Sequence, residues 1–261
     1  KTKDNNIEKT AKNVILATGA RSRNLPFVSS DGVNIWDYKT AMTPPKLPSS
    51  LIIVGSGAIG MEFASFYNDL GVDVTIVEAL PSILPNEDTD ISEIVKLSFE
   101  KRGIKIKTSS ALKSVTTKEN SVSAEIITNE KVETINSEKL ILAIGIIANT
   151  EKLGLKDFNV KIDKGHVVTN EFLETDEKGV YAIGDITDGP WLAHKASHEG
   201  ILCVEKIAGH KNLKPIDKTS IPGCTYCRPQ VASIGMTETQ ARSKNLNLKI
   251  GKFPFIGNGK A

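Results

Sequence analysis

Leu51-Ile52-Ile53-Val54-Gly55-Ser56-Gly57-Ala58-Ile59-Gly60 is the stretch that decides the fold. Four apolar residues in a row read as a parallel strand buried on both faces, because a strand with one wet face would alternate. The run enters a G-x-G-x-x-G turn. Beyond it Ile59, Phe63, Phe66, Tyr67 and Leu70 recur at helical spacing, and Gly71 is placed to end the helix. Val72, Val74 and Ile76 then alternate as a second strand that ends at Glu78, which completes a strand-helix-strand unit within residues 51–78. In this setting Gly55 permits the tight turn, Gly57 lets a pyrophosphate approach the backbone, and Gly60 lets the helix pack closely on the strand. The whole turn, Ser56, Ala58 and Ile59 included, would lie along a dinucleotide at a helix N-terminus, where free N–H groups and the macrodipole favour anions. Glu78 follows at the distance, about twenty residues, where an acid binds the adenosine ribose hydroxyls. A carboxylate there repels a 2′-phosphate, so the expected cofactor is NAD rather than NADP. The bland alternatives are a glycine turn needed only for packing and an exposed acid at a strand end.

Working outward, the doubly wound pattern continues. A helix is predicted from Asp90 to Arg102, with Asp90 and Glu93 as a cap-like pair and Gly103 closing it, followed by a strand over 104–107. Residues 110–138 change to short alternating segments, 122–127 and 132–135, which read as a small antiparallel insertion. A buried parallel strand returns over 139–144 and ends on Gly145. Upstream, residues 13–17 form a strand running into Thr18-Gly19-Ala20, and Pro26, Pro44, Pro45 and Pro48 punctuate a long connection with a domain boundary near residue 45. Downstream, a strand over 179–183 ends in Gly184-Asp185, and a helix starts near Leu192. From Pro215 the texture becomes all-β, down to a strand-like 252–256. Glycine-bearing strand ends on both sides of the central unit imply a chain that leaves one nucleotide-binding domain, builds a second, and returns to the first.

Bulk properties narrow the class. At 261 residues the chain exceeds a typical single domain. Hydrophobic content of 39% and charged content of 25% are those of an ordinary globular protein. Thirty-three basic against thirty-one acidic residues, with no basic stripe, point to neither a nucleic-acid nor a membrane partner. Three cysteines do not make a disulfide framework, so a reducing compartment, the cytoplasm, is expected. No apolar stretch reaches the ~18 residues that span a bilayer, and residues 1–10 lack the apolar core of a signal peptide. The chain opens on Lys1 and stops at Gly257-Asn258-Gly259-Lys260-Ala261, and both ends read as interior positions of a longer protein.

The blocks Val14-Ile15-Leu16-Ala17-Thr18-Gly19, Val54-Gly55-Ser56-Gly57-Ala58-Ile59-Gly60-Met61-Glu62, Ala143-Ile144-Gly145, Val180-Tyr181-Ala182-Ile183-Gly184-Asp185 and Leu192-Ala193-His194-Lys195-Ala196 resemble, in that order, the flavoprotein disulfide reductases. The last block, with Ile221-Pro222-Gly223-Cys224-Thr225-Tyr226 and Val231-Ala232-Ser233-Ile234-Gly235-Met236-Thr237-Glu238, is most similar to the dihydrolipoamide-oxidising branch of the family. The resemblance implies an α/β fold of two doubly wound, Rossmann-like domains, one for NAD and an incomplete one for FAD. It adds a small antiparallel β insertion and the start of an α+β dimerisation domain. The implied divisions are 1–45 in the FAD domain, 46–147 as the NAD domain, 148–214 back in the FAD domain, and 215–261 opening the dimerisation domain.

Position by position, the resemblance implies that Gly55, Gly57 and Gly60 meet NAD pyrophosphate and Glu78 its ribose, with Leu112 and Gly145 along the same cofactor. Glu62 matches the family's acid near nicotinamide and flavin. Thr18, Gly19, Gly184, Asp185 and Ala193 would line FAD, with Asp185 on the ribityl chain and Ala193 presenting backbone to the isoalloxazine. Asp185 also reads this way by itself, since ligands bind at the carboxyl ends of parallel strands. The implied activity passes electrons from dihydrolipoamide, on an acyltransferase subunit of a 2-oxoacid dehydrogenase complex, through a disulfide and FAD to NAD⁺, in a bacterial homodimer. Where many relatives carry a basic, proline-containing stretch after the third block, this chain has Ile146-Ile147-Ala148-Asn149, which leaves a charge contact there without a donor. The family's FAD glycine motif, its CxxxxC pair and its catalytic histidine with glutamate do not occur in the sequence. They are expected outside it, so these residues hold no catalytic side chain and should be inactive alone. A glutathione or mercuric reductase, an NADH oxidase, or a noncatalytic nucleotide-binding module are the alternatives.

Cys224 and Cys227 form a CxxC, but Pro222-Gly223 and β-like residues surround it instead of the helix N-terminus that lowers a redox thiol's pKa. Zinc would need two further ligands, and none is close in sequence. The pair is expected to be structural, and Cys203 a buried helix thiol. His194 and His198, spaced i, i+4, lack a third ligand, so no metal site is expected.

Overall fold

A computed structural model describes residues 9–259; the polar opening 1–8 and the closing Lys260-Ala261 of the outermost expected divisions lie outside the described residues. Before the glycine turn come β1 (Val14–Leu16), β2 (Ala20–Ser22), β3 (Ile35–Trp36) and α1 (Tyr38–Met42). The wound unit follows as β4 (Ser50–Val54), α2 (Ala58–Asp69), β5 (Asp73–Val77), α3 (Thr89–Lys101) and β6 (Lys105–Lys107). A meander of β7 (Ser110–Lys118), β8 (Ser121–Thr128) and β9 (Lys131–Ser137) leads to β10 (Lys139–Leu142) and β11 (Ile146–Ala148). The remainder holds β12 (Ile162–Asp163), β13 (His166–Val167), β14 (Val180–Ala182), α4 (Ala193–Ile207), β15 (Gly223–Thr225), β16 (Val231–Ser233) and α5 (Glu238–Ser243).

The central sheet has five parallel strands in the order β3-β10-β4-β5-β6. Its continuous apolar runs follow from having both faces covered. Leu51, Ile53, Val74 and Ile76 point into one core with Met61, Ala64 and Tyr67 of α2 and Val95 and Phe99 of α3. Ile52, Val54, Leu140 and Leu142 point the other way, into Val122, Ala124 and Ile126 of the meander. Burying each such side chain contributes about 1.5–3 kcal/mol. The meander turns on Asn129 and Glu130, both at positive φ (48° and 66°), the two-residue geometry that matches strand twist.

Several expectations change. The proline-punctuated connection is not featureless, because Ile35–Trp36 adds an edge strand to the central sheet through Leu140 and Ile141. The insertion has three long strands, since the polar 110–118 pairs with β8 despite its weak apolar signal. On α2 the expected face is largely the wrong one: Ile59, Phe66 and Leu70 stay exposed while Gly60, Met61, Ala64 and Tyr67 meet the sheet. The helix carries two apolar stripes, and the glycine at position 60 selects the one that can approach β4. The N-cap of α3 is Asp88 rather than Asp90; its carboxylate accepts instead from Glu238 N at 2.7 Å. Residues 215–259 are not all-β, for α5 starts on a Thr237–Gln240 capping box, and 252–256 forms no strand.

The second sheet is slight: β1 and β14 pair in parallel, and Val14 and Ile15 remain exposed. Between the two sheets, β2 and β11 pair antiparallel.

Candidate functional site

Gly55 and Gly145 stand beyond the carboxyl ends of β4 and β10, the neighbours between which the winding of the sheet reverses, and this is where open α/β sheets bind ligands. Gly55 has φ +101°, and a Cβ on it would lie 2.4 Å from the Ala143 carbonyl oxygen. A Cβ on Gly60 would fall 2.0 Å from the Gly55 carbonyl oxygen, so only glycine lets α2 approach the strand. Gly57 differs. It has ordinary φ, −68°, and open space around its missing side chain. It is also the N-cap of α2 and has no side chain to offer, so the first N–H groups of a twelve-residue helix receive no side-chain cap among the described residues.

Glu78 lies directly behind this turn and is buried. Its Oε2 accepts from Ser56 N at 2.8 Å and from the Ser56 hydroxyl at 2.6 Å, and its Oε1 accepts from Leu80 N at 2.8 Å. A carboxylate has about four acceptor positions, so one remains, on Oε1. Ser56 is fully buried, and its hydroxyl is committed to Glu78. Glu62, on the first turns of α2, accepts from Tyr226 N at 2.8 Å. Leu112 is half-buried against the meander-side core, and the Gly145 carbonyl accepts from Arg23 N at 3.0 Å.

A second group gathers at the carboxyl ends of β1 and β14. The Thr18 hydroxyl donates to the Asn149 carbonyl at 2.8 Å, and the Asn149 amide returns a bond to Thr18 O at 3.0 Å. Gly19 follows at φ +65°. Gly184, at φ +77°, leads into Asp185, whose half-buried carboxylate accepts no hydrogen bond among the described residues. Ala193 opens α4, a fifteen-residue helix whose N-cap, Leu192, supplies no side-chain acceptor. The two groups are thus gathered at separate sheets, joined through the β2–β11 pair.

Sequence reasoning missed three things here. Asn149, noted only as a departure, ties the Thr18-Gly19 turn and also accepts from Arg21 at 2.9 Å. Tyr226 orients Glu62 through its backbone, for which no sequence signal exists. Lys195 and Glu199 form a buried ion pair of 3.1 Å beside Gly184, which their i, i+4 spacing could have revealed.

The two CxxC thiols sit in different surroundings. Cys224 is exposed in β15, whereas Cys227 lies in the core facing α2, donates to Pro229 O, and has its thiol pushed up to about 11 by burial. Burial likewise raises Cys203, inside α4. His194 Nε2 bonds the Pro222 carbonyl at 2.8 Å, and no three His, Cys, Asp or Glu side chains converge on a metal position among the described residues. No helix among them is long and apolar enough to cross a membrane.

Comparison with known proteins places these features in context. The model for the pyridine nucleotide-disulphide oxidoreductases matches residues 1–200, and that for the dimerisation domain of the same group matches 221–261. A protein of Rhizobium etli named dihydrolipoyl dehydrogenase is 51% identical over 97% of the chain and 53% of its own length. One of the same name from Bacillus subtilis is 41% identical over 96% of the chain and 53% of its own length. The crystal structure of LpdA from Mycobacterium tuberculosis superimposes with a TM-score of 0.88 at 29% identity, covering 96% of this chain and 54% of that one. The HOCl-induced flavoprotein disulfide reductase RclA of Escherichia coli, at 24% identity and a TM-score of 0.84 over 95% and 57%, shares the fold. The chain spans about half the length of the curated relatives it matches.

Proposed function

The chain belongs to the pyridine nucleotide-disulphide oxidoreductase family, and from that premise we propose that it carries the NAD site and part of the FAD site of a dihydrolipoyl dehydrogenase. The whole protein oxidises dihydrolipoamide borne by an acyltransferase subunit of a 2-oxoacid dehydrogenase complex and reduces NAD⁺. It acts as a homodimer in the bacterial cytoplasm. The observation that carries the reading is the Gly55–Gly60 turn: two glycines demanded by backbone contacts, a third that leaves open space at an uncapped helix N-terminus, and Glu78 held behind them. The substrate class rests on relatives of that name at 51% and 41% identity.

The residues present fit both cofactors. Toward NAD, the N–H groups at the start of α2 receive pyrophosphate, and the free acceptor position of Glu78 Oε1 takes one ribose hydroxyl while its charge excludes a 2′-phosphate. Leu112 and Gly145 would flank the same cofactor, and Glu62, whose carboxylate accepts from Tyr226 N, would meet its nicotinamide end. Toward FAD, the Asp185 carboxylate, unpartnered among the described residues, would take ribityl hydroxyls, Thr18 and Gly19 would contact the same cofactor, and the start of α4 at Ala193 would lend its N–H groups to the flavin ring. FAD and NAD supply the hydride chemistry when bound, and the protein's share is alignment and electrostatics. Cys224 and Cys227 take no part; the dithiol-oxidising cysteines and the acid–base histidine belong to the rest of the protein.

The test is the full-length protein. Stoichiometric bound flavin, dihydrolipoamide-dependent NAD⁺ reduction and at least tenfold preference for NAD⁺ over NADP⁺ are expected. Turnover of glutathione disulfide or Hg²⁺ with NADPH, without lipoamide activity, would refute the assignment.

A further inference from the structure

The most heavily buried charges among the described residues surround a single glycine. Lys195 and Glu199, one turn apart on α4, are 2% and 3% exposed and lie 3.1 Å from each other. Glu199 Oε2 accepts from Gly184 N at 2.6 Å, while Lys195 Nζ donates to the Gly184 carbonyl at 3.1 Å and to the Thr187 hydroxyl at 3.1 Å. Thr187 completes the ring by donating to the same carbonyl at 2.8 Å.

The geometry carries a consequence for the residue that follows. The N–H of Gly184 belongs to the peptide plane before its Cα and the carbonyl to the plane after it. An anion gripping the first and a cation gripping the second therefore set both dihedrals of Gly184, which sits at φ +77°. Those dihedrals decide which way Asp185 leaves β14. The glycine is also in contact with α4, since a Cβ on it would stand 3.4 Å from that of Ala196. The two charges thus fasten the turn bearing Asp185 to the helix whose N-terminus begins at Ala193.

Stability does not explain this arrangement. Replacing a buried ion pair by apolar side chains of like volume is often neutral or stabilising, because desolvation cancels most of the attraction. What an apolar pair cannot do is hold the direction of two peptide planes, which charge-assisted hydrogen bonds do well. We propose that Lys195 and Glu199 are positioning residues for flavin binding: a charge clamp that holds the Gly184 turn so that the Asp185 carboxylate and the α4 N-terminus face one ligand. The proposal rests on the reading of Asp185 and Ala193 as flavin contacts given above.

The experiment uses the full-length protein, stripped of flavin and titrated with FAD, with melting of the apoprotein and NADH affinity followed in parallel. The wild type comes first: failure to bind FAD would sink the functional reading itself. Given binding, Lys195→Met combined with Glu199→Leu is expected to leave the apoprotein's melting temperature within a few degrees and NADH affinity unchanged, yet weaken FAD at least tenfold. Glu199→Gln, which keeps an acceptor on Gly184 N, should lose less than the double variant and shows the effect even if the double variant folds poorly. Wild-type FAD affinity in either folded variant would mean that the pair only satisfies its own charges, and would overturn the clamp. So would FAD weakening that merely follows a matching loss of apoprotein stability.

Discussion

Two of the glycine turns at strand ends, Gly55–Gly60 and Gly184, are supported in opposite ways. The Gly55–Gly60 turn grows from a five-stranded sheet whose central strands β10, β4 and β5 are buried on both faces, and the buried acid behind it, Glu78, arrives from the adjacent strand. The Gly184 turn grows from a two-stranded pair with exposed residues, and two charges on a helix hold it. The first takes its shape from close packing of backbone on backbone, the second from long side chains reaching in. A turn made by packing is rigid before a ligand comes; a turn made by a clamp depends on the clamp.

The largest expected contrast comes from expressing residues 1–261 with excess FAD. The turn on the five-stranded sheet should titrate with NADH, while bound flavin should stay below a tenth of stoichiometric, because among the described residues β1 and β14 form a sheet only with each other and leave an open edge at β1. Stoichiometric yellow protein with lipoamide turnover would erase the distinction.

Within the first turn, substitution should separate packing from ligand contact. In the full-length protein, Gly60→Ala meets the Gly55 carbonyl, and overpacking of this kind costs about 1–3 kcal/mol, so both melting temperature and NADH affinity should drop, the latter up to about a hundredfold. Gly57→Ala meets no protein atom and should leave melting unchanged while weakening NADH alone. Equal melting losses in the two variants, by calorimetry, would show that the turn is only structural.

Glu78→Ala removes a charge-assisted bond to ribose worth about 1.5–3 kcal/mol, so NAD affinity should fall roughly ten- to a hundredfold. NAD affinity unchanged in a titration would remove Glu78 from the site.

The smallest effects belong to the CxxC. Cys224→Ser with Cys227→Ser should keep turnover within a few fold, and maleimide at pH 8 should label Cys224 and spare Cys227. Burial holds the Cys227 thiol neutral up to about 11, above the value of about 8.5 for an unfolded cysteine. Its contribution to stability is therefore complete below about pH 8.5 and is lost as pH rises through the folded value. Melting curves between those limits should fall less steeply for Cys227→Ser than for the wild type; parallel curves would contradict the burial argument.

The sequence by itself determined the strand-turn-helix-strand unit, the places of Gly55, Gly60 and Glu78, and the buried character of β4 and β10. Spacing along one short stretch sets all of these, because glycine geometry and strand burial act within a few residues. The tertiary structure decided the rest. Only packing against the sheet chose which of two apolar stripes on α2 turns inward, recruited Ile35–Trp36 to an edge, and converted the polar 110–118 into a strand by pairing it with β8. Likewise Asn149 meets Thr18, Tyr226 meets Glu62, and Glu199 meets Gly184 across long or helical separations. A hydrogen bond depends on where two atoms end up, and no local periodicity encodes that.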